Sequence, residues 1–304
     1  MESITFEVAT DEQKVQIHRI VEDATRKAIK VLGLGKPNAQ RVIVNGDELA
    51  NKIIDKIREL STTDQFKDEE VESNYGYLSG YQPAVADLDR QIARLKELFP
   101  TLGDANLEFL ELVKSGKVEL PPNTEKWGVI PNWKKRPDLF DPIYNDGVQK
   151  VLNLIKQTRN GAFYNYREGQ IGPNRLRQSK RSVEFWDKLI EAQNNPDILI
   201  VPFQFGLLYA GKSVRRAIEK FLAQEFGLGA FAVGCLLLTH EERLRHYDDL
   251  WIDCSGDEYD DPDSVVRFGL APCFEFHGGL VKFASRFVDG ARVRYGSASA
   301  SLPQ

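Results

Sequence analysis

The string Gly206-Leu207-Leu208-Tyr209-Ala210-Gly211-Lys212-Ser213 satisfies the phosphate-loop pattern G-x-x-x-x-G-K-[ST]. In such a loop, backbone amides and a helix N-terminus converge on an anion, with lysine on the outer phosphates and the hydroxyl on magnesium. Here the interior is Leu-Leu-Tyr, bulky where backbone must wrap closely, and the chain ends in hairpin signals rather than further parallel strands. The simpler role is for Ser213 to N-cap a helix carrying Arg215, Arg216 and Lys220. Contact of Lys212 and Ser213 with a single phosphate or a nucleic-acid backbone asks less of the loop.

A second constellation comprises His240, His246, Asp248, Asp249, Asp253, Asp257 and Glu258, with His277 further on. Imidazole and carboxylate groups are what metal-assisted hydrolysis needs, and Asp253 ends a short apolar strand, Leu250-Trp251-Ile252. The spacing matches no metal-ligand pattern, so no metal is assigned, and the simplest role for the acidic residues is a solvated turn. Cys254 is a candidate nucleophile with His246 or His277 as base, although a lone strand-end cysteine is more often packed. The catalytic candidates are therefore Asp253, His246, His277 and Cys254.

The third constellation interleaves Arg167, Arg175, Arg177, Lys180 and Arg181 with Tyr164 and Tyr166. Guanidinium groups fork onto phosphates and aromatic faces stack on unpaired bases, which suits RNA or single-stranded DNA. Nine basic residues between 150 and 188 face three acidic ones, whereas ten acidic residues between 241 and 263 face two arginines. If those stretches dock on each other, the charges neutralise within the chain and no external polyanion is required.

The strings 225–234, 238–243 and 248–254, with Tyr164-Asn165-Tyr166-Arg167-Glu168-Gly169-Gln170 and Tyr295-Gly296-Ser297-Ala298-Ser299, resemble uncharacterised hypothetical proteins of small-genome bacteria over roughly residues 145–304. The resemblance implies no activity, cofactor or catalytic residue.

Positioning these groups falls to a chain of 304 residues with 42% apolar and 28% charged composition, enough for a sizeable core. The net charge of −5 argues against a wholesale polyanion binder. No apolar run approaches the roughly 20 residues of a membrane helix. The polar opening Met1-Glu2-Ser3 and three cysteines, which cannot all pair with one another, point to the reducing cytoplasm.

Thr10 with Gln13 forms a capping box for an amphipathic helix through Val31, stopped by Gly33 and Pro37. Arg41 to Val44 is a β-branched run, and Leu49 to Leu60 a second helix. A third helix carries Val85 to Leu98 and a fourth spans about 104–114. Prolines 121, 122, 131, 137 and 142 mark a connector at 115–145, which divides a helical region (1–114) from a C-terminal domain (146–304).

In that domain, helices are expected at 148–155, 179–193 and 213–226 and strands at Ile198–Phe205 and Phe231–Leu238, a βαβ-like order. Thr239 with Glu242 marks a short helix to Leu250, and Gly278-Gly279 and Asp289-Gly290 mark two successive hairpins. The fold class is α+β, a helical N-terminal region followed by a mixed-sheet domain ending in antiparallel hairpins.

The leading functional expectation is a cytosolic protein binding nucleic acid through the Arg/Tyr segment. The alternative is a metal-dependent hydrolase or a phosphate- or nucleotide-handling enzyme in the C-terminal domain. A third is assembly with a protein partner through the tyrosine loop 75–81 and Trp127/Trp133. No cofactor is assigned.

Overall fold

The computed structural model describes residues 9–61, 63–82, 87–140 and 143–303; Val85, Pro142 and the opening residues lie outside them. The chain divides into two compact units, Met1–Thr63 and Asp64–Gln304. The division falls at residue 63, not in the proline-rich stretch.

The first unit contains α1 (Asp11–Leu32), α2 (Lys36–Val44) and α3 (Gly46–Ser61). Thr10 accepts from the Gln13 amide and Gln13 accepts from the Thr10 amide, so two otherwise orphaned donors at the start of α1 are satisfied. Gly33 ends the helix in the left-handed region at φ 52°. The run Arg41–Val44 is the end of α2 rather than extended chain, because Pro37 in the first turn sets a helical φ and the helix propagates through it.

The second unit is α+β. Its elements are α4 (Leu88–Leu98), α5 (Leu107–Lys114), β1 (Lys126–Pro131), α6 (Pro137–Phe140), α7 (Tyr144–Thr158), β2 (Phe163–Asn165), β3 (Leu176–Gln178), α8 (Lys180–Ala192) and β4 (Ile198–Gln204). They continue through α9 (Val214–Glu219), β5 (Glu225–Gly227), α10 (Ala230–Thr239), β6 (Trp251–Asp253), β7 (Asp257–Tyr259), β8 (Leu270–His277), β9 (Leu280–Phe287), β10 (Tyr295–Ser297) and β11 (Ser299–Ser301). One sheet is four-stranded and antiparallel, in the order β1-β4-β11-β5. The other is seven-stranded, running β10-β6-β8-β7-β3, with β9 against β8 and β2 against β9.

The expected boundary at 115–145 is absent because β1 lies inside it. This strand pairs along its length with β4, and every residue of it is buried. Trp127 and Trp133, candidates for an external interface, are core residues. In the tyrosine loop, Tyr77 donates to Glu125 at 2.6 Å, Tyr81 is buried and Tyr75 accepts from Arg294 at 2.9 Å, so those rings are engaged internally.

The segment Phe231–Leu238 is helix, not strand, so the βαβ unit is absent. An apolar run has no periodicity with which to choose, and α10 is buried on every side. Gly234 lets α10 approach α7 closely, since a Cβ there would meet Val151 Cγ1 at 2.5 Å. Thr239 ends this helix, its hydroxyl donating to Leu236 O at 3.1 Å, instead of capping a new one. The helix expected at 213–226 stops at Glu219, and Glu225–Gly227 joins the four-stranded sheet instead.

Gly278 and Gly279, at φ 65° and 76°, form the tight turn between β8 and β9, as the dipeptide requires. No second hairpin follows: β10 lies parallel to β6. Gly296 in β10 rests directly on the backbone of Gly206, and an added Cβ would overlap the Gly206 carbonyl. Gly296→Ala is expected to lower the stability of this unit by about 3 kcal/mol or more, the cost of overpacking against backbone that cannot yield. Urea unfolding would measure the loss, and an unchanged midpoint would contradict the packing.

Candidate functional site

The register of the hairpin sorts chemistry onto one side of the seven-stranded sheet. Glu275 lies opposite Lys282 and Cys273 opposite Ala284, while Asp253 of β6 lies opposite Cys273. Tyr295 and Ser297 of β10 pair with Trp251 and Asp253, and Tyr164 of β2 pairs with Lys282. Side chains alternate between faces, so all of these, with Arg286 two residues beyond Ala284, project from one face. The intervening Ile252, Phe274, Val281 and Phe283 project from the other and join the core.

At the centre of the polar face the Arg286 guanidinium stacks 3.6 Å from the Tyr295 ring centroid. Its Nη2 donates to Gly290 O at 2.8 Å, and its Nε lies 3.7 Å from Asp253 Oδ1, too far for a hydrogen bond. Tyr295 donates its hydroxyl proton to Glu275 at 2.7 Å. Arg286 is 8% exposed and Asp253 1%. Even so, Arg286 Nε and Nη1, Asp253 Oδ1 and Ser297 Oγ have no hydrogen-bond partner in the protein. Leaving a buried polar atom unmatched costs about 1–3 kcal/mol, so a cluster of them marks a place shaped by something other than stability.

Burial pushes the Asp253 carboxyl up to about 7; Arg286 and Arg292 pull it down, and the Glu275 charge reinforces the rise. A carboxylic acid at that value carries a proton near neutrality and can donate it. A cavity of about 390 Å³ is lined by Arg286 but not by Asp253; Arg167, Arg292, Tyr295 and Ser285 line it too, as do the carboxylates of Asp261, Asp263 and Glu275. A second cavity of about 370 Å³ shares Arg292 and Tyr295 with it and adds Trp251 and Arg294.

Comparison with family models, with curated proteins and with solved structures gives no match for this chain.

Of the catalytic candidates, Asp253 and His277 lie on this face. His277 is at its exposed rim, its Nδ1 at 3.4 Å from Lys282 Nζ and its ring against Tyr247. His246 is occupied locally, its Nδ1 accepting from the Asp248 amide at 3.1 Å. Cys254 is fully buried and its thiol is held protonated by burial, which removes it as a nucleophile. His240 is sealed among Tyr81, Phe203 and Phe205, and burial presses it down to about 3. Asp257 accepts from Tyr144 Oη and the Ala230 amide, bracing the start of α10. Among the described residues no group of three or more His, Cys, Asp and Glu side chains is disposed to hold a metal ion.

The phosphate-loop string is closed by its own chain. Its amides at 209, 210, 211, 212 and 213 donate to backbone carbonyls, those of 211 and 213 to Tyr295 and Glu69. Lys212 pairs with Glu70 at 3.7 Å, and the Ser213 hydroxyl donates to Glu69 at 2.6 Å while accepting from the Arg216 amide. Ser213 is thus the N-cap of α9, and no amides converge on an external anion there. This corrects the phosphate-loop reading.

The basic segment is engaged in the same way. Arg167 pairs with Asp261 at 2.9 Å and lies over the Tyr259 ring. Arg175 donates to the Asp260 carbonyl at 3.2 Å, and Arg177 pairs with Glu258 at 2.6 Å over Phe268. Arg181 donates to the carbonyls of Leu222 and Glu225. The cause is the antiparallel pairing of β3 with β7, which sets Arg177 opposite Glu258 and brings the basic and acidic runs together. Lys180, loosely paired with Glu184 at 3.9 Å, remains in solvent. Tyr164 and Tyr166 are 51% and 50% exposed, but the guanidinium groups that were to accompany them are engaged by carboxylates and carbonyls of the same chain.

Glu275, Arg286, Arg292, Tyr295 and Ser297 were not among the sequence candidates. The alternation Cys273-Phe274-Glu275-Phe276-His277, with phenylalanine on every second position, was the available signal.

Proposed function

We propose that the larger unit binds a small oxyanion-bearing molecule on the polar face of the seven-stranded sheet, with an affinity set by the charge of Asp253 behind Arg286. The observation that carries this reading is the buried Arg286–Asp253 pair with its unmatched Nε, Nη1 and Oδ1 atoms, of which Arg286 lines a cavity of about 390 Å³. That volume is within the range of small-molecule sites. Arg286 and Arg292 supply forked donors of the kind that hold phosphate or carboxylate oxygens. Asp253, neutral below about 7, leaves the Arg286 charge to the ligand, whereas its ionised carboxylate would compete for that charge.

Calorimetric titration with sulfate, a dianion throughout the useful pH range, tests the reading. Binding is expected near pH 6 and should weaken about tenfold near pH 8, as Asp253 ionises and repels the anion. Asp253→Asn should bind sulfate with little dependence on pH. Absence of binding at either pH would sink the proposal.

A further inference from the structure

Among the described residues of the first unit no side chain is buried, although α1 and α3 are both amphipathic. On α1, Ile17, Val21, Ala24, Ala28 and Val31 follow one another at spacings of four, three, four and three residues. That is the 3.5-residue repeat of a helix that packs against another along its length. Ile17 and Val31 are exposed, and so is Ile20 beside them. Most of a helix's stability in a protein comes from packing such a face, and a stripe left in water contributes none of it.

We propose that the stripe on α1 is covered by α1 of a second copy of this chain, the two helices running antiparallel. The stripe is uneven in size and the helix uneven in charge, and both favour that partner and that direction. An antiparallel pair overlapping along almost its whole length sets Ile17 opposite Ala28 and Val21 opposite Ala24 of the second copy. Each of these layers joins a large side chain to a small one, which fills the space between the helices evenly. In the end layers Val31 meets the stem of Lys14, whose ammonium stays in water beside Asp11 at 2.9 Å. Parallel pairing would set Ala24 on Ala24 and Ala28 on Ala28 while Ile17 met Ile17, so the separation suited to one layer would be wrong for the next. Charge points the same way. The first turn carries Asp11 and Glu12, whereas residues 24–32 carry Arg26, Lys27 and Lys30 and no carboxylate. Antiparallel copies bring each acidic start to the other's basic end and oppose the helix dipoles, while parallel copies would place like charges together at both ends. An anionic lipid surface would be repelled by Asp11 and Glu12 at the start of the same helix.

Size-exclusion chromatography of the full chain with light scattering should give twice the chain mass. Val21→Asp should return it to the monomer while the urea unfolding of the second unit stays as it was. Disulfide trapping reads the direction, and the native Cys235, Cys254 and Cys273 are buried and do not interfere. Ile17→Cys mixed with Ala28→Cys should oxidise to a cross-linked pair. Either variant alone should not, because identical positions in antiparallel copies lie roughly 16 Å apart along the axis, beyond the reach of a disulfide. Self-cross-linking of Ile17→Cys alone would overturn the antiparallel arrangement. A dimer that survives Val21→Asp would overturn α1 as the interface. A monomeric wild type would overturn the proposal altogether and leave the stripe to another segment of the chain, a different protein or a lipid surface.

Discussion

Replacing Arg286 with glutamine should reduce sulfate or phosphate affinity on the order of 100-fold, the scale on which loss of a buried charged partner is felt. The same variant should show a pH-dependent loss of stability, which separates this residue from an ordinary surface arginine. At low pH, where Asp253 is protonated in the folded unit, the loss is confined to the stacking on Tyr295 and the hydrogen bond to Gly290, about 2 kcal/mol. Arg286 holds the Asp253 carboxyl below the value that burial alone would impose, so its removal raises that value beyond about 7. Above it the wild type ionises Asp253 while the variant still retains the proton. The stability gap then widens by about 1.4 kcal/mol per pH unit until the variant carboxyl also ionises. Urea unfolding near pH 5 and near pH 8 reads the effect, and a gap that is the same at both would show that Arg286 and Asp253 are not coupled. Arg286→Lys should retain part of the charge effect but not the forked anion contact.

The wild-type unit should be most stable in mildly acidic solution and weaken toward neutrality. Asp253 and Asp257 are both raised to about 7, chiefly by burial. An acid whose folded value exceeds its unfolded value of 3.8 binds a proton more readily in the folded state, so its contribution is complete below that value and disappears as pH rises to about 7. Each group contributes on the order of 4 kcal/mol across that window. The opposite sign applies to Asp197: although burial opposes it, hydrogen bonds from Lys135 and Arg136 hold it down to about 2. Its contribution is lost only as pH falls from the unfolded value toward about 2. Unfolding midpoints measured from about pH 4 to 8 should therefore be highest near pH 4 and fall until about pH 7. Asp253→Asn and Asp257→Asn should each flatten that fall. A midpoint that climbs steadily from pH 5 to 8 would refute the assignment of both carboxyls.

The locally encoded parts of the chain were readable because their cause is local. The Thr10/Gln13 capping box, the Gly33 stop and the Gly278-Gly279 turn each depend on dihedral preferences or hydrogen bonds spanning a few residues. The placement of Asp253 on a short strand and the α+β class follow from the same short-range patterns. No local signal could decide α10, whose residues are apolar in every direction; its state is set by the space between α7 and the four-stranded sheet.

Sequence alone established that basic and acidic runs of opposite sign exist, and that tyrosines accompany the basic one. The tertiary structure decided that the two runs face each other, because Arg177 and Glu258 are 81 residues apart and meet only when β3 pairs with β7. It also decided that Asp253, Glu275, Arg286 and Tyr295, drawn from four different strands, share one face. Such a meeting depends on strand register, where a shift of one residue would turn every one of these side chains into the core. Register is fixed by the packing of the whole sheet, not by the residues that use it.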